Sequence, residues 1–135
     1  MSNSFSLEGK TILVTGASSG LGQGIAIQCS KMEAKVVLNG RNEERLKETL
    51  SQMEGEGHVV LPADIATQEG LEKVIAEIPE IDGYVNSAGI TSMTPLKNIS
   101  RDHITELFNV NAVAPITLTA LLVKKKKLKK QSSVV

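Results

Sequence analysis

The chain lacks several things on which many binding and catalytic proteins depend. It has no tryptophan, one tyrosine and two phenylalanines in 135 residues, too few rings for a base-stacking platform or an aromatic-lined sugar site. A single cysteine, Cys29, excludes an internal disulfide. Because it falls inside an apolar helical pattern, it reads as a small core side chain rather than a reactive thiol. The two histidines, His58 and His103, have no second ligand at metal spacing, so no metal is assigned. No signal peptide and no apolar run of membrane-spanning length stand out, and a cytoplasmic location without a membrane partner is the expectation.

Net charge is zero as well, but unevenly so. Up to Val123 there are nine basic and fifteen acidic residues, whereas the last twelve residues carry six lysines and no acid. An acidic body is a poor nucleic-acid binder, and no nucleic-acid partner is expected. The run Lys124–Lys127 with Lys129 and Lys130 could form a patch for nucleic acid or an acidic membrane. The plainer reading is a solvated face closing a long helix, where cations complement the helix dipole.

What the chain does have is 41% hydrophobic residues spread along its length, enough for the core of one small domain. Short β-branched runs alternate with helical patterns, as in a parallel sheet covered by crossover helices. Strands are expected at Thr11–Thr15, Lys35–Asn39, His58–Leu61 and Ile81–Asn86. The first helix carries Leu21, Ile25, Cys29 and Met32 at helical spacing. Asn42 caps a second, with Leu46, Leu50 and Met53, which Gly55 and Gly57 end. Thr67 caps a third, with Leu71, Val74, Ile75 and Ile78, stopped by Pro79. A loop from Ser87 to Pro95 then leads to a long helix capped by Ser100, which Pro115 should kink. Ser132–Val135 opens a fifth strand, and the sequence ends there.

The segment "TILVTGASSGLGQGIA", Thr11 to Ala26, joins the first strand to the first helix through glycines. Such a turn makes an anion site, because helix N–H groups point outward and the dipole favours negative charge. Gly16 permits the sharp turn, Gly20 lets a phosphate approach the backbone, and Gly22 lets the helix pack on the sheet. Ser18 and Ser19 add hydroxyls, and Leu21 follows them into the helix. No lysine stands where a P-loop needs one, so nucleoside triphosphate hydrolysis is not expected. The pattern points to a dinucleotide in a Rossmann-like α/β fold.

The spacing T-G-x-x-x-G-x-G resembles that of the short-chain dehydrogenase/reductase family. Three further motifs follow in order: Asp64–Ile65 after the third strand, "NSAG" at Asn86–Gly89 after the fourth, and "NVNA" at Asn109–Ala112. The resemblance covers nearly the whole chain. It implies one NAD(P)-binding domain over residues 1–135, incomplete at its C-terminus, with helices on both faces of a sheet of strand order 3-2-1-4. Asp64 would meet the adenine amino group, Asn86, Ala88 and Gly89 would line the cofactor, and Asn111 would be the catalytic asparagine. Plainer readings stand beside these: Asp64 could cap the turn before Thr67, Asn86 could satisfy loop backbone, and Asn111 could be a polar pin.

About 20 residues past the glycines an NAD-binding unit carries an acid for the ribose 2′-OH. Here Gly40 and Arg41 occupy that place. Arginine can grip a 2′-phosphate, so NADP(H) is favoured, with NAD(H) possible and Arg41 as a solvated charge the plainer alternative. The family's catalytic serine, tyrosine and lysine have no match. The only tyrosine, Tyr84, has Ala88 rather than lysine four residues on. These residues are therefore expected to be the cofactor-binding part of an oxidoreductase for small alcohols or carbonyls, a homo-oligomer (dimer or tetramer) when complete and inactive as 135 residues. The alternative is a non-catalytic dinucleotide-binding or scaffolding module. A four-stranded sheet would leave the fourth strand as an exposed edge.

Overall fold

Segments of four to seven residues, all but the last built on short apolar runs, become strands in a computed structural model that describes residues 3–135. These are β1 (Thr11–Val14), β2 (Lys35–Gly40), β3 (Val59–Pro62), β4 (Ile81–Val85) and β5 (Leu128–Val134). All pair in parallel, in the order 3-2-1-4-5. Between them lie α1 (Gly20–Lys31), α2 (Glu43–Ser51), α3 (Gln68–Glu77), α4 (Arg101–Phe108) and α5 (Ala114–Lys124).

Successive strand residues point to opposite faces, and the core divides accordingly. Leu13 and Val37 face α3 and α5, packing with Leu71, Val74, Leu118 and Leu122. Ile12, Val14, Val36 and Leu38 face α1 and α2, packing with Ala26 and Leu46. Each buried Leu or Val contributes about 1.5–3 kcal/mol, so the alternation alone commits helices to both faces.

The predicted caps form. Asn42 Oδ1 accepts from Arg45 N at 3.1 Å, Thr67 Oγ1 from Gly70 N at 3.0 Å, and Ser100 Oγ from His103 N at 3.2 Å. Each satisfies an orphan donor of its helix start. His58 Nδ1 accepts from Val36 N at 3.1 Å and its other ring nitrogen donates to Glu54 O at 2.7 Å, which sets the ring as a local staple.

Four expectations are corrected. Leu21 does not join the buried stripe of α1: it is 82% exposed, and the buried face is Gly22, Ala26 and Ser30. The helix start lies so close to the loop before it that only small residues fit. The long helix is not simply kinked at Pro115. It widens into a π turn at Asn109–Val113 immediately before α5, whose first turn holds Pro115. The wide turn accommodates a ring that lacks an N–H and would clash with the carbonyl four residues back.

The third correction concerns β5, which starts at Leu128 rather than Ser132 and covers β4. Strand β4 is therefore not an edge; its backbone is continued by Asn86 N to Val135 O at 2.7 Å and Val135 N to Tyr84 O at 2.9 Å. Lys129 and Lys130 lie in this outer strand, not at a helix end, and lysines are suited to an exposed edge. Finally, Arg101–Lys124 runs 24 helical residues and is long and apolar enough to cross a membrane, contrary to the expectation of no such run. Its Ala114, Pro115, Leu118 and Leu122 face is buried against the sheet, while 22% of the apolar stretch as a whole is buried.

Candidate nucleotide-binding site

The site is assembled where β1, β2, β3 and β4 end. Thr15, fully buried, ties two of its walls: its Oγ1 accepts from Ser87 N and Ala88 N, both at 3.2 Å. Gly16 follows with φ +62°, and a Cβ there would lie 2.8 Å from Ser87 O and 2.9 Å from Ala88 N. Glycine is needed for both reasons. Ala17 N donates to Asn39 O at 3.0 Å, and Thr49 Oγ1 donates to Ala17 O at 2.9 Å. The loop is thus held to β2, β4 and α2 at once.

What the loop leaves open is equally informative. Gly20 has φ +57° and, among the described residues, nothing within 4 Å of where a Cβ would stand. The cap residue of α1, Ser19, makes no side-chain cap bond, whereas α2, α3 and α4 are each capped by a side chain. The first N–H groups of α1 consequently stay available to an external acceptor.

Before these groups lies a cavity of 430 Å³ lined by Gly16, Ser18–Leu21, Asn39–Arg41, Arg45, Ala63–Ala66, Ser87–Ile90 and Val110. Ten of the predicted residues meet here: Gly16, Ser18, Ser19, Gly20, Leu21, Arg41, Asp64, Ile65, Ala88 and Gly89. Three do not. Gly22 lies behind the wall, where its Cβ would be 2.1 Å from Gly16 O. Asn86 and Asn111 line a separate, open apolar groove of 830 Å³ beside α5 and β5.

Charge is arranged along the cavity. Arg41 and Arg45 occupy one end, and neither forms an ion pair among the described residues. Asp64 lies on the β3 side, where Oδ1 accepts from Ala66 N at 3.0 Å and its carbonyl from Thr67 Oγ1 at 2.7 Å. It therefore caps its turn as well as lining the cavity.

Asn111 sits in the π turn and clasps Ile90: Oδ1 accepts from Ile90 N and Nδ2 donates to Ile90 O, both at 2.8 Å. Two residues earlier, Asn109 Nδ2 donates to Ala66 O at 3.1 Å. The π turn thus stitches the helix to two of the cavity's loops, which gives Asn111 the pinning role alongside any other. Tyr84 is buried with its hydroxyl unpartnered among the described residues, and burial pushes its phenol up to about 12.

The sequence reading missed Thr15, Asn39, Arg45 and Thr49. Asn39 was detectable as an amide inside an apolar strand; buried, it donates to Leu61 O at 3.0 Å and Ala63 O at 3.2 Å. Thr15 stood beside the first glycine. Arg45 and Thr49 carried no local signal, because only the docking of α2 brings them to the loop.

Comparison with known proteins shows the family and the fold. The family model for short chain dehydrogenases matches residues 10–135. A gluconate 5-dehydrogenase of Gluconobacter oxydans is 40% identical over 117 residues, covering 81% of this chain and 46% of that protein. A dehydrogenase/reductase from Sinorhizobium meliloti superposes with a TM-score of 0.84 at 32% identity, covering 97% of this chain and 54% of the other. A candidate 2-deoxy-D-gluconate 3-dehydrogenase of Agrobacterium tumefaciens, solved with bound NADP, gives 0.78 at 32% identity over 92% of this chain and 50% of its own. The chain spans about half the length of the relatives it matches.

Proposed function

Because the chain belongs to the short-chain dehydrogenase family, we propose that its 430 Å³ cavity binds NADP(H) in the service of an oxidoreductase acting on a small alcohol or carbonyl. The observation that carries the choice of nucleotide is the pair Arg41 and Arg45, free of carboxylate partners among the described residues, at the β2 end of the cavity. An NAD-selective site would put an acid there to accept from the ribose hydroxyls. Two guanidiniums instead suit a dianionic 2′-phosphate, which each can contact through a planar fork of donors.

The rest of the cavity suits the remaining parts of the same molecule. The uncapped start of α1 and the open face of Gly20 offer backbone donors to a diphosphate. Asp64 and Ile65 would receive the adenine end, and Ala88 and Gly89 would form the opposite wall. Gly22 supports the loop from behind, Asn86 braces it through Thr15, and Asn111 holds the Gly89–Ile90 backbone through its two bonds to Ile90. When bound, the nicotinamide ring carries the hydride, and the protein's share is position and electrostatics.

The 135 residues by themselves are proposed to bind without turnover. A ketone needs a proton donor near neutral pH, and Tyr84, the sole tyrosine, is buried with a phenol pushed up to about 12. A cytoplasmic dimer or tetramer is part of the same proposal.

Titration of the chain with NADPH and NADH tests this reading. NADPH should bind more tightly, and Arg41→Ala should weaken it about tenfold to a hundredfold, the worth of a hydrogen bond to a charged group, with NADH little changed. Equal affinity of the unmodified chain for the two nucleotides would refute the choice of NADP(H).

A further inference from the structure

A threonine inside a helix ordinarily returns its hydroxyl to the carbonyl four residues back. For Thr49 that acceptor is Arg45 O, at 3.3 Å, but Ala17 O in the glycine loop is closer, at 2.9 Å. A hydroxyl has one proton, and the shorter bond takes it out of its own helix and across to the loop. Gln23 Nε2, on α1, donates back to Thr49 Oγ1 at 3.2 Å. Thr49 is fully buried, so water does not substitute for it. The other side of the Ala17 residue is already held, since its N–H donates to Asn39 O at 3.0 Å.

Two subsites therefore meet at one hydroxyl. The loop presents the open start of α1, and α2 carries Arg45 one turn before Thr49. Building on the NADP(H) reading, we infer that Thr49 is a positioning residue that sets the separation between the diphosphate-binding loop and the arginine end of the cavity. A ligand that bears phosphates at both ends needs both subsites at one fixed distance. A ligand with a single phosphate needs only one of them and is indifferent to their spacing.

The consequence is a loss confined to ligands that span both. Binding of 2′,5′-ADP, 2′-AMP and 5′-AMP to the chain is measured by calorimetry for wild type, Thr49→Val and Thr49→Ser, with the thermal midpoint of each sample. Thr49→Val should weaken 2′,5′-ADP about tenfold, the net worth of a strong hydrogen bond, and either monophosphate less than about twofold, because the chelate advantage alone is lost. Serine, which keeps the hydroxyl, should restore binding. If the valine variant does not fold, Thr49→Ala, which removes the same hydroxyl and its bond to Ala17 O, takes its place, and the same selective loss is expected. Equal weakening of all three ligands, unchanged 2′,5′-ADP affinity, or no rescue by serine overturns the inference. These outcomes differ from failure of the underlying reading, which shows in the wild type alone as 2′,5′-ADP binding no more tightly than 5′-AMP and overturns both.

Discussion

Replacing Gly22 with alanine tests the contact on which the cavity wall depends. A Cβ at Gly22 would lie 2.1 Å from the Gly16 carbonyl oxygen, 2.7 Å from its carbon and 3.1 Å from Ser87 Oγ. Non-bonded carbon contacts sit at about 3.5 Å, so the start of α1 must retreat from the loop by about 1.4 Å. The loop cannot yield instead. Gly16 has Ser87 O and Ala88 N against its own face, and Ala17 is hydrogen-bonded on both sides. Overpacking against backbone belongs at the upper end of the usual range, about 3 kcal/mol, and improved helix propensity offsets at most about 1 kcal/mol of it. The net expectation is a loss of about 2 kcal/mol.

Gly24 supplies the internal control. It lies in the same helix with nothing among the described residues within 4 Å of a Cβ, so Gly24→Ala should gain up to about 1 kcal/mol from propensity alone. Urea unfolding followed by circular dichroism reads both variants, with unchanged m-values showing that only stability has moved. NADPH titration should show Gly22→Ala weakened and Gly24→Ala unaffected. A Gly22→Ala protein as stable as Gly24→Ala, with full NADPH affinity, would refute the close crossing of loop and helix.

Two further expectations concern pH. Asp82 Oδ2 accepts from Thr11 N at 2.8 Å and lies 3.4 Å from Lys129 Nζ, and the Thr11 bond first, then Lys129 and Lys10, hold its carboxyl below the ordinary 3.8. Its stabilising share is present above that ordinary value and is lost as pH falls through the lower folded one, so Asp82→Asn should flatten the acid limb of thermal midpoints recorded from neutral pH downward; parallel limbs would count against the bonds from Thr11 and Lys129. Tyr84 has the opposite sign. With its phenol pushed from 10.0 up to about 12 by burial, wild type should lose about 1.4 kcal/mol per pH unit relative to Tyr84→Phe between those values. At neutral pH the phenylalanine variant should be the more stable by about 1 kcal/mol, because the buried hydroxyl has no partner at hydrogen-bond distance among the described residues and the pull of Thr15 on it is outweighed by burial; a less stable variant would reveal a full bond to that hydroxyl.

Much of this architecture was legible beforehand for local reasons. Leu13 and Val37 on one face, with Val14 and Leu38 on the other, are a period-two pattern that any sheet must honour. The caps at Asn42, Thr67 and Ser100 depend only on residues three further on. Leu21 was misplaced because helical spacing reports which residues share a stripe but not how near the stripe lies to its neighbour. The start of β5 was missed because Lys129 and Lys130 resemble a solvated tail. Pairing with the backbone of β4 outweighs that local signal.

The sequence by itself determined the alternation of strands and helices, the glycine turn, and the residue types at each strand end, since these follow from backbone freedom and short-range periodicity. Tertiary structure alone decided that Arg45 shares a cavity with Arg41 and Gly20, that Asn111 spends its amide on Ile90, and that Thr49 reaches Ala17 rather than only its own helix. Those outcomes depend on how far one element sits from another, a distance set by packing whole faces together. No local run of residues encodes it.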